Sequence, residues 1–118
     1  YHCFCRKTTR LVAESMKLPE GSYMTTFQSR FGPAEWLQPY TDKTIESLAK
    51  DGTENIHVIS PAFSSDCLET IEELNEENRE IFIDNGGKKF GYIPCLNDRE
   101  DHIDLLTSLL ENELHGWI

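Results

Sequence analysis

The sequence lacks features on which several large classes of protein depend. Lysine and arginine are scarce, 11 against 21 aspartates and glutamates, and the formal net charge is −10 at pH 7. A chain this acidic is repelled by phosphate backbones and anionic lipid surfaces, so we expect no nucleic-acid partner. No stretch approaches the ~18 apolar residues of a membrane-spanning helix, and no glycine-rich phosphate loop is present. These absences argue against a nucleic-acid-binding protein, a phosphate-loop protein and a membrane-spanning helix.

Cysteine is also sparse, and its spacing bears on the cellular compartment. The four cysteines are Cys3, Cys5, Cys67 and Cys95. They lie too far apart for a disulfide framework, which favours a reducing cytoplasm and leaves peripheral association with the inner membrane open. The chain begins without an initiator methionine and runs directly into a helical pattern, so we expect it to be part of a longer protein. Its 118 residues, 38% of them hydrophobic, suffice for one domain with a core.

Apolar periodicity and turn residues predict alternating helices and strands. The predicted helices cover 6–16, 43–50, 66–84 and 102–114, and the predicted strands cover 22–28, 55–60 and 90–94. This alternation predicts a three-layer α/β fold, in which helices flank a parallel sheet of three strands, and the crossover topology implies a further strand upstream. Ligands of such sheets bind beyond the carboxyl ends of the strands, which here fall at 28–30, 61–65 and 95–98.

The segment 66–84 is unusually acidic for a helix. Its apolar stripe consists of Leu68, Ile71, Leu74, Ile81 and Phe82, and the opposite side carries Glu69, Glu73, Glu76, Glu77, Glu80 and Asp84. Like-charged pairs at i,i+4 each disfavour the helix by ~0.2–0.5 kcal/mol. A solvated acidic face would explain this pattern without any function.

Three of these carboxylates also form a regular row. Glu69, Glu73 and Glu77 are spaced four apart, so they could form a ladder of hard oxygen ligands along which a divalent cation or protons move. Glu69 lies in the first turn of a helix that follows a strand, beside the expected ligand crevice. A capping box, with Asp66 as the N-cap and Glu69 at the third position, would account for these two residues without a ligand. The pattern leaves both interpretations open.

The loop 27–39 is long and aromatic, which is more typical of a functional loop than of a simple connection. Trp36 and Phe31 would suit stacking on a flat ligand, and Arg30 would meet a carboxylate. Trp36 could equally fill the core. The loop therefore indicates either a binding site for a planar acid or an extension of the core.

Four motifs resemble a known family. FQSRFG (27–32), WLQPYTD (36–42), PAFSSDCLET (61–70) and YIPCLN (92–97) look like the carboxyl-terminal half of a ferrochelatase, in order and spacing over nearly the whole chain. Cys67 suggests the bacterial type, since the animal enzymes resembling it have histidine there. The resemblance implies a chelatase-like, flavodoxin-like domain over 1–118 that is incomplete at its start, because the strand with the family's histidine motif would lie upstream. The amino-terminal part of the same enzyme would then be a partner.

The resemblance also implies an activity. A ferrochelatase is a lyase that inserts ferrous iron into protoporphyrin IX to form protohaem. Iron and porphyrin would be substrates, with no organic cofactor and no iron–sulfur cluster. Glu69 would face the porphyrin opposite the upstream histidine, and Glu73 and Glu77 would continue a polar path for the metal. The implied porphyrin-binding residues are Gln28, Ser29, Arg30, Trp36, Phe63 and Asp66.

The chemistry of metallation agrees with these assignments. Two pyrrole N–H protons must leave, so the reaction needs a carboxylate base with a pKa near neutrality inside an apolar cleft. Oxygen ligands hold iron(II) weakly enough to release it to the porphyrin nitrogens. The alternatives are that the fragment is inactive or only binds metal, or that the enzyme inserts another divalent metal such as cobalt. A flavodoxin-like electron-transfer domain would need a phosphate-binding loop or an acidic cluster at the first strand's end, and the sequence has neither.

Overall fold

The computed structural model describes residues 1–30 and 32–117. Its elements, in chain order, are α1 (His2–Met16), α2 (Thr41–Lys50), β1 (Asn55–Ile59), a π-helix (Glu69–Glu77), α3 (Asn78–Asp84), β2 (Lys89–Ile93) and α4 (Glu100–Glu113). Helical structure is therefore found at each of the four predicted places, with shifted ends. Phe31, which the sequence predicts to stack on a flat ligand, lies outside the described residues.

The two strands pair in parallel, from Asn55 opposite Lys89 to Ile59 opposite Ile93. The connection between them runs through the π-helix and α3, and α2 packs against α3. This confirms an α/β architecture with parallel strands and helical crossovers. The carboxyl ends of both strands open onto the same edge of the sheet, which is where a ligand of such a fold binds.

The strand predicted over 22–28 does not form. Its backbone makes one parallel bridge, between Phe27 and Tyr40, in which the Phe27 N–H donates to the Pro39 carbonyl and the Thr41 N–H donates to the Phe27 carbonyl. β-Branched and aromatic residues favour an extended backbone, but a strand also needs a ladder of partner residues, and this segment has a single bridge. The sheet of the described residues is therefore two-stranded, and the three-layer arrangement stays a prediction.

The helix predicted over 66–84 differs from expectation in its first half. Over Glu69–Glu77 it is a π-helix, whose hydrogen bonds span five residues instead of four. The buried Asn78 closes this segment, because its backbone N–H and its side-chain Nδ2 both donate to the Glu73 carbonyl. α-Helical bonding resumes in α3. A 3.6-residue apolar period could not predict this change, since it assumes one helix type throughout.

The core forms where α2 and α3 pack on the sheet, and its buried members are Ile45, Ala49, Phe82 and Phe90. Phe82 is fully buried, and a Cβ on Gly87 would lie 2.2 Å from its ring, so glycine is required there. The predicted apolar stripe is buried only in part. Leu74 and Phe82 are buried, whereas Leu68 and Ile71 are exposed.

The first and last helices contribute little to this core, since α1 buries only Ala13 and α4 only His102. Both expose apolar side chains, namely Phe4, Leu11, Val12 and Met16 on α1 and Ile103, Leu105, Leu106, Leu109 and Leu110 on α4. The described part of the chain thus leaves two apolar helix faces uncovered. None of its helices combines the length and apolarity needed to cross a bilayer.

Candidate active site at the carboxyl ends of the strands

A cavity of about 370 Å³ opens beside the carboxyl end of β1. Its apolar lining includes Tyr1, Phe4, Phe27, Trp36, Val58, Ile59, Phe63 and Leu74. Among the residues predicted to bind porphyrin, Gln28, Ser29, Trp36 and Phe63 line it. Arg30 and Asp66 are not part of its lining. A cavity of this size with mostly apolar walls is typical of a site for an organic ligand.

Trp36 lies at this cavity with 39% of its surface exposed. A tryptophan that filled the core would be largely buried, as Phe82 is. The exposure therefore favours a side chain available to a ligand over the alternative of a core residue.

Hydrogen bonds join the loop after Phe27 to the π-helix. The Gln28 side-chain amide donates to the Glu69 carbonyl at 2.9 Å. The Ser29 N–H donates to Glu73 Oε1 at 2.8 Å, and the Ser29 hydroxyl donates to Oε2 at 2.7 Å. The FQSRFG motif thus meets the π-helix at Glu69 and Glu73, which lie 41 and 44 positions from their partners in the chain, a contact that spacing along the chain could not show.

The π-helix changes how the predicted row of glutamates is arranged. In an α-helix, residues four apart are offset by about 40° around the axis. In the π-helix the hydrogen bonds span five residues, so Glu69, Glu73 and Glu77 follow a different angular spacing around the axis. Glu69 and Glu77 are exposed and Glu73 is half-buried.

This row does not form a ready metal cage. Within residues 1–30 and 32–117, no three His, Cys, Asp or Glu side chains converge to hold a metal ion. Cys3 and Cys5 are both on α1, where residues two apart face different sides. A single carboxylate by itself gives a cation few oxygen ligands, and such contacts bind weakly and release readily.

Hydrogen bonds favour the ionised form of the Glu69 carboxyl group. A hydrogen bond from the Cys67 thiol and the backbone N–H of Glu69 itself hold its pKa below the usual range. It is consequently ionised at neutral pH, the form that attracts a cation. The described residues alone do not raise this pKa towards neutrality, because the carboxylate is exposed to water.

Asp66 is the centre of a hydrogen-bonded group at the sheet edge, which we call the Asp66 cluster (Asp66, Thr70, Tyr92 and Asn97). Its Oδ1 accepts from the Tyr92 hydroxyl at 2.5 Å and the Thr70 hydroxyl at 2.9 Å. Its Oδ2 accepts from the Asn97 amide at 2.8 Å, and its own N–H donates to Asn97 Oδ1 at 2.8 Å. These donors, Tyr92 first, hold the pKa of Asp66 far below its usual range, while burial and the Asp66 carboxylate raise the pKa of Tyr92.

Hydrogen bonds with His102 of α4 and with Ser64 support the Asp66 cluster. Nδ1 of the buried His102 donates to the Asn97 carbonyl at 2.7 Å, and its Nε2 lies 3.0 Å from the Ser64 hydroxyl. The Asn97 N–H donates to the Ser64 carbonyl at 3.0 Å. Sequence patterns alone predict no role for Tyr92, Asn97 or His102. The available signal was the position of Tyr92 and Asn97 in the YIPCLN motif at a strand end.

The fold and this edge define an α/β protein with an apolar ligand cleft and a row of carboxylates beyond the ends of parallel strands. The sequence model of the ferrochelatase family matches residues 1–114. The chain belongs to the ferrochelatase family.

Curated relatives agree with this assignment over the whole chain. This chain is 60% identical to a ferrochelatase of Marinobacter nauticus over 117 residues, which cover 99% of this chain and 32% of the relative. It is 56% identical to a ferrochelatase of Rhizobium etli over 118 residues, which cover all of this chain and 34% of the relative. A ferrochelatase of Idiomarina loihiensis is 56% identical over 117 residues. The chain thus spans about a third of the length of these relatives.

Proposed function

We propose that the full-length protein inserts ferrous iron into protoporphyrin IX to form protohaem, a lyase reaction of haem biosynthesis. This chain would be its carboxyl-terminal part, of the bacterial type. The observation that carries the proposal is the junction of an apolar cavity with a carboxylate row, made by the bonds from Gln28 and Ser29 to the π-helix. An apolar cleft suits a flat macrocycle, and carboxylates suit a divalent metal and the released protons.

The porphyrin would lie against the aromatic wall of the cavity. Trp36 and Phe63 supply faces for the ring system, and Gln28 and Ser29 supply polar groups at its edge. The exposed guanidinium of Arg30 would pair with a propionate, since arginine binds carboxylates in a bidentate geometry. No organic cofactor is needed for this reaction, because neither substrate changes its oxidation state.

Glu69 would take up the protons that the metal displaces one at a time, passing the first to the water around the carboxylate row before it accepts the second. As iron(II) bonds to the four ring nitrogens, two pyrrole N–H bonds break and two protons leave. A carboxylate with a low pKa is a weak base in water. A macrocycle that covered Glu69 would exclude water and raise that pKa towards neutrality, so substrate binding itself would make Glu69 a better base.

Glu77 and then Glu73 would bind the metal in turn on its way to Glu69. We expect Glu77→Gln in the full-length protein to raise the iron concentration for half-maximal rate about threefold to tenfold, because one contact between opposite charges in water is worth on the order of 1 kcal/mol. The maximal rate should change less. Steady-state kinetics with iron and with zinc would measure both. Glu72→Gln, which lies off the row, is the matched control, and an equal change in that variant would contradict a path through Glu77.

Glu73→Gln should have a second effect. Its carboxylate accepts two hydrogen bonds from Ser29, whereas glutamine has one acceptor oxygen and can keep only one of them, because its amide nitrogen donates and does not accept. We therefore expect this variant to weaken porphyrin binding as well as to raise the iron requirement. A change in the iron requirement alone would show that the bonds to Ser29 do not matter for the cleft.

The remaining amino-terminal part of the enzyme would cover the apolar faces of α1 and α4. Because these faces and the outer edge of β1 have no partner among the described residues, the isolated chain should melt gradually and at low temperature. Circular dichroism of the 118 residues would measure this, and adding the separately produced remainder should sharpen the transition. A cooperative melt of the chain alone at high temperature would contradict the expected dependence.

The decisive test is metal insertion by purified full-length protein, followed through the absorption of the product. Insertion of iron(II) into protoporphyrin IX is the expected result. Insertion of cobalt but not iron would mean that the enzyme is a chelatase for cobalt. Metal binding without insertion would mean that the protein only binds metal. Recovery of the activity in the cytoplasmic fraction of broken cells would agree with the proposed cytoplasmic location. Recovery in the inner-membrane fraction would favour peripheral membrane association instead.

A further inference from the structure

We propose that Asp66 is a positioning residue, which acts through the Asp66 cluster to hold the first turn of the π-helix and thereby the Glu69 carboxylate. Porphyrin contact, the role that the family resemblance implies for Asp66, would then not be its main task. This inference rests on the proposed function of Glu69, but the hydrogen bonds that carry it can be tested separately.

The Asp66 carboxylate is occupied by the protein itself. It accepts from the Tyr92 hydroxyl, the Thr70 hydroxyl and the Asn97 amide at 2.5–2.9 Å, with the Cys95 N–H further away at 3.4 Å. A carboxylate has about four acceptor positions, so these donors take up nearly all of them. Asp66 also does not line the apolar cavity. Little of this carboxylate is left for a substrate.

The cluster joins the segments that must be in register at the active edge. Tyr92 lies in β2, Asn97 lies in the loop after β2, and Thr70 lies in the first turn of the π-helix. The Thr70 hydroxyl donates to Asp66 and accepts from the Cys67 N–H at 2.9 Å. One hydroxyl thus closes the turn that contains Glu69.

Thr70 is the residue through which the position of Glu69 is set. Thr70 is fully buried while its neighbour Glu69 is exposed. An exposed side chain has few contacts that fix its direction, so its backbone must do so. The backbone there is held by the Gln28 amide on the Glu69 carbonyl and by Thr70 on Asp66.

The loop that supplies Asn97 is itself held from two sides. Asn97 has a positive φ of 51°, a conformation that asparagine tolerates better than most residues. Bonds to Ser64 and His102 fix its backbone, and the reciprocal pair with Asp66 fixes its side chain. Such an over-determined loop is what a precise position for Glu69 requires.

Two substitutions of Thr70 separate positioning from packing in the full-length protein. Thr70→Val keeps the volume and removes the hydroxyl, whereas Thr70→Ser keeps the hydroxyl and removes a buried methyl group. We expect Thr70→Val to lower kcat for zinc insertion about tenfold with little change in the KM for porphyrin, because a reacting group that is slightly misplaced loses rate without losing substrate. Thr70→Ser should retain most of kcat even where it loses thermal stability, because the hydroxyl that holds the turn remains. Thr44→Val, which removes a helical hydroxyl bonded to the Tyr40 carbonyl, is the matched control and should keep its kcat.

Amide hydrogen exchange tests the cluster without the reaction. In Thr70→Val, the amides of 67–72 should exchange faster, while those of α2 should be unchanged. If both Thr70 variants lose kcat in proportion to their stability, or if exchange at 67–72 is unchanged in Thr70→Val, the positioning role is wrong. If the wild-type protein inserts no metal, the proposed function fails, and the exchange result still decides whether Thr70 holds this turn.

Discussion

Replacing Glu69 by glutamine in the full-length protein should lower the rate of metal insertion about 100-fold or more, the usual loss when a general base is removed. Glutamine has nearly the same shape, and Glu69 is exposed, so the folded structure should hardly change. The hydrogen bond that Gln28 donates to residue 69 uses the backbone carbonyl and survives the substitution. Turnover with iron and zinc, together with the thermal melt, would measure both effects.

The acidic helix offers its own controls for this experiment. Glu72 lies off the row, and Glu80 lies beyond the π-helix in α3, so glutamine at either position should leave the rate close to that of the wild type. A graded loss, large at Glu69 and smaller at Glu77, would agree with a base and a delivery path. Equal, small losses in all of these variants would mean that the acidic side of the helix is only a solvated surface, and the ladder would be withdrawn.

Replacing Trp36 by alanine should weaken porphyrin binding by ~1–3 kcal/mol, the range measured when an aromatic side chain stacks on a planar ring. That corresponds to a loss of about fivefold to 150-fold in affinity. The indole lines the apolar cavity and keeps 39% of its surface exposed, so the free protein should lose little stability. Quenching of tryptophan or porphyrin fluorescence during titration would give the affinity.

The second tryptophan of the chain provides the comparison. Trp117 follows α4, is 85% exposed and does not line the cavity. Trp117→Ala should therefore leave porphyrin affinity unchanged. If Trp36→Ala kept full affinity and instead destabilised the fold, Trp36 would be a core residue, the alternative that the sequence left open.

Local patterns in the sequence were enough to predict most elements of the fold. Short apolar segments bounded by turn residues correctly indicated β1 and β2, and 3.6-residue periodicity indicated the helices, because burial of one face imposes those repeats. The prediction of a strand over 22–28 was wrong for a related reason. Its composition favours an extended backbone, but whether it becomes a strand depends on a neighbouring ladder, and only the bridge from Phe27 to Tyr40 is present.

The candidate site likewise has a part that the sequence predicted and a part that it could not predict. Spacing alone brought out Glu69, Glu73 and Glu77 as a row at the start of a helix after a strand. The π-helix that carries this row depends on where Asn78 closes the turn. A residue-by-residue pattern contains no information on hydrogen-bond partners five positions away.

The sequence by itself determined the class of fold, the edge of the sheet at which the motifs lie and, through those motifs, the family. These properties follow from local repeats and from short segments that can be compared one by one. The tertiary structure alone decided that Glu73 binds Ser29 and that Asp66 binds Tyr92 and Asn97. Such contacts join residues 26 to 44 positions apart, and only the folded chain brings their donors and acceptors within hydrogen-bonding distance.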